Sequence, residues 1–149
     1  MQVHVILVLI ILSVVAFAFQ PGRTLSTRAR LSSSSMNMIE ITQGVEFDTI
    51  AREWRFKWSP DDEKASLALA QQTLKQFESE IKKVPGVKSV QRIVCGGCLD
   101  FKIITSLDTE SFGSWEQKKF APEQQFLDAV KGIAGITQIE TQTFTLMDV

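Results

Sequence analysis

The chain of 149 residues has no tyrosine, and its single histidine, His4, stands at the N-terminal edge of an apolar run. Imidazole and phenol chemistry are therefore missing from the rest of the sequence. Cysteine is also scarce: Cys95 and Cys98 form one C-x-x-C pair and there are no others. A zinc site needs about four ligands, so two cysteines without histidine cannot complete one inside a monomer. The sequence shows no glycine-rich phosphate loop, no paired-acid motif and no nucleophile–base pair. Its longest apolar run, Val5 to Ala18, is 14 residues. A membrane-spanning helix needs roughly 20.

That run ends in Ala16-Phe17-Ala18 and has the length and small-residue end of a secretory signal peptide. The next stretch, Phe19 to Met38, carries Arg23, Arg28 and Arg30, is rich in Ser and Thr, and has no acidic residue. This is the composition of an organelle transit peptide. The order signal-then-transit, joined at "AFAFQP" with Phe19 after the expected cut, resembles the bipartite presequence of algae with complex plastids. The expected organisation is a signal peptide over 1–18, a transit-like segment over 19–38, a leader over 39–49 and a domain over 50–149. The expected destination is the chloroplast (complex plastid) stroma, with no membrane association after processing. Loss of the three arginines lowers the basic residues from 16 to 13 against 17 acidic ones, a net of −4. An acidic domain without a basic cluster excludes nucleic acid as a partner.

Within the domain, "AREWRFKWS" alternates Trp54, Phe56 and Trp58 with Glu53, Arg55 and Lys57, the period-two pattern of a half-buried strand. Ser59-Pro60-Asp61-Asp62 reads as a helix start, with Ser at the N-cap and Pro at the first helical position. Leu67, Ala70, Leu74, Phe77, Ile81 and Val84 then form one stripe of a helix from Pro60 to Val84, which Pro85-Gly86 stops. Val87 to Val94 and Leu99 to Leu107 read as strands. Between them, Cys95-Gly96-Gly97-Cys98 reads as a two-residue hairpin turn whose glycines take positive φ. Residues 109 to 135 read as helical with a break near Ala121-Pro122, and "ITQIETQTFTLM" as a last alternating strand. The order β-α-β-β-α-β predicts an α+β, ferredoxin-like sandwich with helices on one sheet face.

"KKVPGVKSV" closing the first helix, and "EQQFLDAVKGIAGITQIETQTFTL" after the hairpin, resemble the dimeric α/β-barrel superfamily. The similar branches are the stress-responsive α/β-barrel domains and the ligand-sensing domains of Lrp/AsnC regulators. The likeness covers about residues 50 to 147. It implies a homodimer whose sheets pack face to face. The regulators' helix-turn-helix has no room here, and the His or Tyr that catalytic members often place in the pocket is missing.

The cysteine pair has three readings: plain hairpin thiols, which the two-residue turn favours, a reversible disulfide, or a metal or redox role. The stripe Trp54, Phe56, Trp58 is either core beneath the helices or the lining of a pocket on the opposite sheet face. Arg52, Arg55 and Lys57, with Arg92 and Lys102, form an anion site if they share a face. Asp100 is a lone carboxylate. The expectation drawn from these features leans away from catalysis, toward a non-enzymatic module without cofactor. Such a module binds a small ligand or a protein through the sheet face of a dimer. An α/β-barrel enzyme using an acid such as Asp100, or a thiol–disulfide switch, is the alternative.

Overall fold

A computed structural model describes residues 38–149. The signal- and transit-like segments, apart from Met38, lie outside the described residues. The elements are β1 (Ile39–Thr42), β2 (Val45–Phe47), β3 (Thr49–Lys57), α1 (Asp61–Ile81), β4 (Val87–Cys95), β5 (Asp100–Asp108), α2 (Thr109–Gln117), α3 (Glu123–Lys131) and β6 (Thr137–Leu146). β1 and β2 pair as a small hairpin, so the expected leader carries two short strands. The other four strands form one antiparallel sheet in the order β4-β5-β3-β6. This is the expected α+β, ferredoxin-like arrangement.

Register decides the two faces of the sheet. Trp54 pairs with Ile103 and Phe56 with Phe101, and all four side chains are buried in one cluster. Phe126 of α3 lies over them, its ring centroid 5.1 Å from Trp54, with Phe77 of α1 edge-on to it at 5.7 Å. Ala70, Leu74 and Ile81 of α1 complete this layer. Burying each large side chain contributes about 1.5–3 kcal/mol, so the aromatic stripe is the core of the domain. Trp54, Phe56 and Trp58 therefore do not line a pocket on the opposite face.

Local chemistry sets the helix boundaries. α1 is three residues shorter at its C-terminus than its apolar stripe. At its start Ser59 Oγ accepts from the Asp61 N–H at 3.1 Å, while Asp62, Glu63 and Lys64 take left-handed backbone angles. Regular helix begins only after them. α2 is capped by Asp108, whose carboxylate accepts the Ser111 N–H at 2.7 Å. Gly86 (φ +79°) lies against this cap: a Cβ there would meet Ser111 Oγ at 2.1 Å and Asp108 Oδ2 at 2.7 Å. The break expected near Ala121-Pro122 is present, with a cis peptide bond between α2 and α3.

One local expectation fails. β4 and β5 are joined by four residues, Gly96 to Leu99, since Cys95 pairs with Asp100. Neither glycine has positive φ; the left-handed residue is Leu99 (φ 57°). A disulfide joins Cys95 to Cys98 across a Cα separation of 5.5 Å. That distance lies within the usual range for a disulfide. The loop is longer and bonded, where the sequence favoured a tight turn with free thiols.

Candidate functional site

The five cations grouped by the sequence separate onto two faces. Successive strand residues point to opposite sides, so the helix-covered face of β3 carries Arg52 and that of β4 carries Arg92. Arg55, Lys57 and Lys102 stand on the open face. There Lys57 Nζ lies 2.7 Å from Asp100, Arg55 Nε 3.0 Å from Glu140 and Lys102 Nζ 3.6 Å from Glu53. Three cations thus meet three carboxylates, and this face is a balanced lattice. The hydrogen bond from Lys57 holds the Asp100 carboxyl below its usual range; desolvation pushes the other way, and the nearby charges of Lys57, Lys102 and Arg55 lower it further. Asp100 is therefore ionised at neutral pH. This favours the ionised carboxylate over the acid form that one sequence reading assigned to Asp100.

Arg52 is also held by several partners. Its Nε and Nη2 reach the two carboxylate oxygens of Glu123 at 2.7 and 2.9 Å, and Thr141 and Thr143 accept from its Nη atoms. Its guanidinium lies 4.3 Å from the centroid of the Phe120 ring. Trp54 Nε1 donates to the same Glu123 at 2.6 Å. Glu123 carried no sequence signal, because it meets Arg52 only when the start of α3 is laid against β3. This network ties α3 to the sheet and takes up four of the five N–H donors of Arg52.

Arg92 differs. Of the five, it alone has no carboxylate partner among the described residues; its guanidinium donates to Gln71 Oε1 of α1. Gln71 and Arg92 sit together in the groove between α1 and edge strand β4, where two cavities share them. One, ≈ 410 Å³, is lined by Leu67, Ala68, Val94 and Phe101 as well. The other, ≈ 330 Å³, runs on past Leu74, Val90 and Ile103. Both volumes fall in the range of small-molecule sites, about 300–1,000 Å³. The groove thus offers an apolar floor with Arg92 over it, bridged to the Gln71 amide, and with Glu63, Lys64, Glu78 and Lys82 also in its lining. A third cavity of ≈ 390 Å³, beneath the end of α1 and beside α2, has Trp115 in its wall with Lys83, Lys118, Glu80 and Glu110 at its edge. Its charges are balanced, and Trp115 spends its N–H on the Ala121 carbonyl at 2.8 Å.

No family model and no curated protein matches the chain. Solved structures do share its fold. A protein of Deinococcus radiodurans, provisionally assigned as an antibiotic biosynthesis monooxygenase, superposes with a TM-score of 0.52 at 15% identity, over 67% of this chain and 94% of that one. A protein of Bordetella bronchiseptica with the same provisional assignment gives 0.50 at 13% identity, over 68% and 98%. Another from Caulobacter crescentus gives 0.50 at 10% identity, over 68% and 92%. These likenesses bear out the α+β, ferredoxin-like type of fold. They also correct the expectation of a non-enzymatic module, since the similar structures carry monooxygenase assignments.

Proposed function

We propose that the chain is a small enzyme of the oxygenase type, which takes a largely apolar organic molecule into the α1–β4 groove. The observation that supports this is Arg92, a guanidinium that meets the Gln71 amide and no carboxylate among the described residues, above a floor of Leu67, Leu74, Phe101 and Ile103. A guanidinium held over apolar surface stabilises an oxyanion far better than water does. It suits a substrate whose phenol or enolisable carbonyl oxygen becomes negative, the form that gives an electron to dioxygen most readily. On this reading Gln71 holds Arg92 in place before the substrate arrives. Oxygen uptake by the full chain with a polycyclic phenol or an enolisable aryl ketone as substrate tests it. Arg92→Ala should lower kcat/KM by about 10²–10³-fold, the usual cost of an oxyanion donor, and Arg92→Lys should recover part of it. Uptake no faster than in buffer, or an Arg92→Ala variant equal to the parent, would refute it.

The working unit on this reading is a homodimer joined through the open sheet face. Ile93 and Leu146 are exposed there, at 42% and 39%, beside the neutralised charges. The expected plastid destination is part of the same proposal. It rests on the residues from Val5 to Met38, and a fluorescent protein fused after residue 38 tests it: import should occur and should fail with Phe19→Ala.

A further inference from the structure

The loop between β4 and β5 carries chemistry that the groove does not use. Cys98 is exposed and Cys95 is half-buried. The Cys98 backbone N–H donates to Cys95 Sγ at 3.1 Å. Nothing stands within 4 Å of the positions that side chains at Gly96 and Gly97 would occupy, so no other segment covers the two residues between the cysteines there. Asp100 Oδ2 lies 3.5 Å from Cys98 Sγ, and the ammonium of Lys57 lies 2.7 Å from both Asp100 and the Cys98 carbonyl.

We infer that the Cys95–Cys98 disulfide is a thiol-exchange site for thiol and dithiol reductants, with Cys98 the sulfur attacked and Cys95 the leaving group. Exchange proceeds by attack of a thiolate along the S–S axis, and it is fastest at the accessible sulfur with the better-stabilised leaving thiolate. Both conditions select the same direction here. The incoming thiolate forms a bond to Cys98 Sγ, and the Cys95–Cys98 bond breaks. Cys95 Sγ leaves with the electron pair as a thiolate, which the Cys98 N–H stabilises as a charge-assisted hydrogen bond. A second reductant thiolate then attacks the reductant sulfur of the mixed disulfide, releasing Cys98 as a thiolate that takes up a proton. The protein disulfide has gained two electrons, and two reductant thiols have become one disulfide. Lys57 neutralises Asp100, so the carboxylate does not repel the incoming anion.

The fold permits this without unfolding. The loop is also held by the Trp58 N–H to the Leu99 carbonyl at 3.0 Å and by the Cys95–Asp100 pairing. Neither depends on the sulfur bond. Two electrons can therefore enter and leave at the sheet edge while β4 and β5 keep their register. This inference does not depend on the oxygenase reading, and its test has a separate readout.

The experiment uses the full chain, native and in denaturant, treated briefly with limiting glutathione and then N-ethylmaleimide at low pH. Peptide mapping locates the glutathione and the alkylated sulfur. In the native protein the glutathione should sit on Cys98 and the maleimide on Cys95 with a preference of about tenfold or more, falling toward equality in denaturant. Excess dithiothreitol should reduce the native disulfide fully with the far-ultraviolet circular dichroism unchanged, and oxidised glutathione should restore it. Glutathione mainly on Cys95, equal labelling of both cysteines in the native protein, or reduction only after unfolding would each overturn the proposal. So would a purified chain with free thiols that oxidised glutathione fails to close.

Discussion

Replacing Glu123 with Ala tests the energetic account of the domain most directly. The side chains of Arg52 and Glu123 are each only 14% exposed, and the carboxylate accepts two bonds from the guanidinium and a third from Trp54 Nε1. Deleting it leaves a guanidinium with only the two threonine hydroxyls and a ring face, and a buried indole N–H with no acceptor. Removing one partner of a buried pair costs about 3–5 kcal/mol, because the remaining charge stays desolvated. Glu123→Gln keeps the shape and one carbonyl acceptor, so its cost should be about 1–2 kcal/mol. Replacing both Arg52 and Glu123 with Leu removes the stranded charge. It should be milder than Glu123→Ala alone, with the orphaned Trp54 N–H accounting for about 1–3 kcal/mol. Urea unfolding followed by circular dichroism measures all three, since indole fluorescence would report Trp54 itself. With a slope of about 1–3 kcal/mol/M, Glu123→Ala should move the midpoint by about 1 M or more. A Glu123→Ala cost below about 1 kcal/mol, or a double variant worse than the single, would refute the claim that this pair anchors α3.

Gly86→Ala should destabilise the domain by about 2 kcal/mol or more, because a left-handed backbone and contact with the α2 cap act together. Gly96→Ala and Gly97→Ala should each change stability by less than about 0.5 kcal/mol; thermal melts of the three variants separate these outcomes. Asp108→Ala should cost about 1 kcal/mol through loss of the cap on α2. The Asp108 carboxyl is held below its ordinary 3.8, chiefly by the Ser111 N–H. Its stabilising effect is therefore complete above the unfolded value and is lost as pH falls through the lower folded one. Melts of the parent should weaken below about pH 4, and the Asp108→Ala variant should weaken less over that interval. Sedimentation of the processed chain at tens of micromolar should show a dimer, and Ile93→Lys on the open face should shift it to monomer; a parent that stays monomeric would rule out the sheet-face dimer.

Periodicity in the sequence settled the architecture. Trp54, Phe56 and the Leu67-to-Val84 stripe have spacings that suit only one pleat and one helix face, and burying them forces helices onto one side of a four-stranded sheet. Local signals also marked the Pro85-Gly86 stop and the break at Pro122. The turn at Cys95 to Leu99 was misread because two glycines allow a tight primed turn without requiring it. Its length follows from the Cys95–Asp100 register, which is set across the sheet. The site depended still more on the tertiary structure. Arg52, Arg55, Lys57, Arg92 and Lys102 look alike in the sequence, yet their partners come from distant segments: Glu123 from α3, Glu140 from β6, Asp100 and Glu53 from neighbouring strands. Which cation remains without a carboxylate is decided by strand order and helix placement. Only Arg92, on an edge strand beneath α1, meets an amide where the others meet acids.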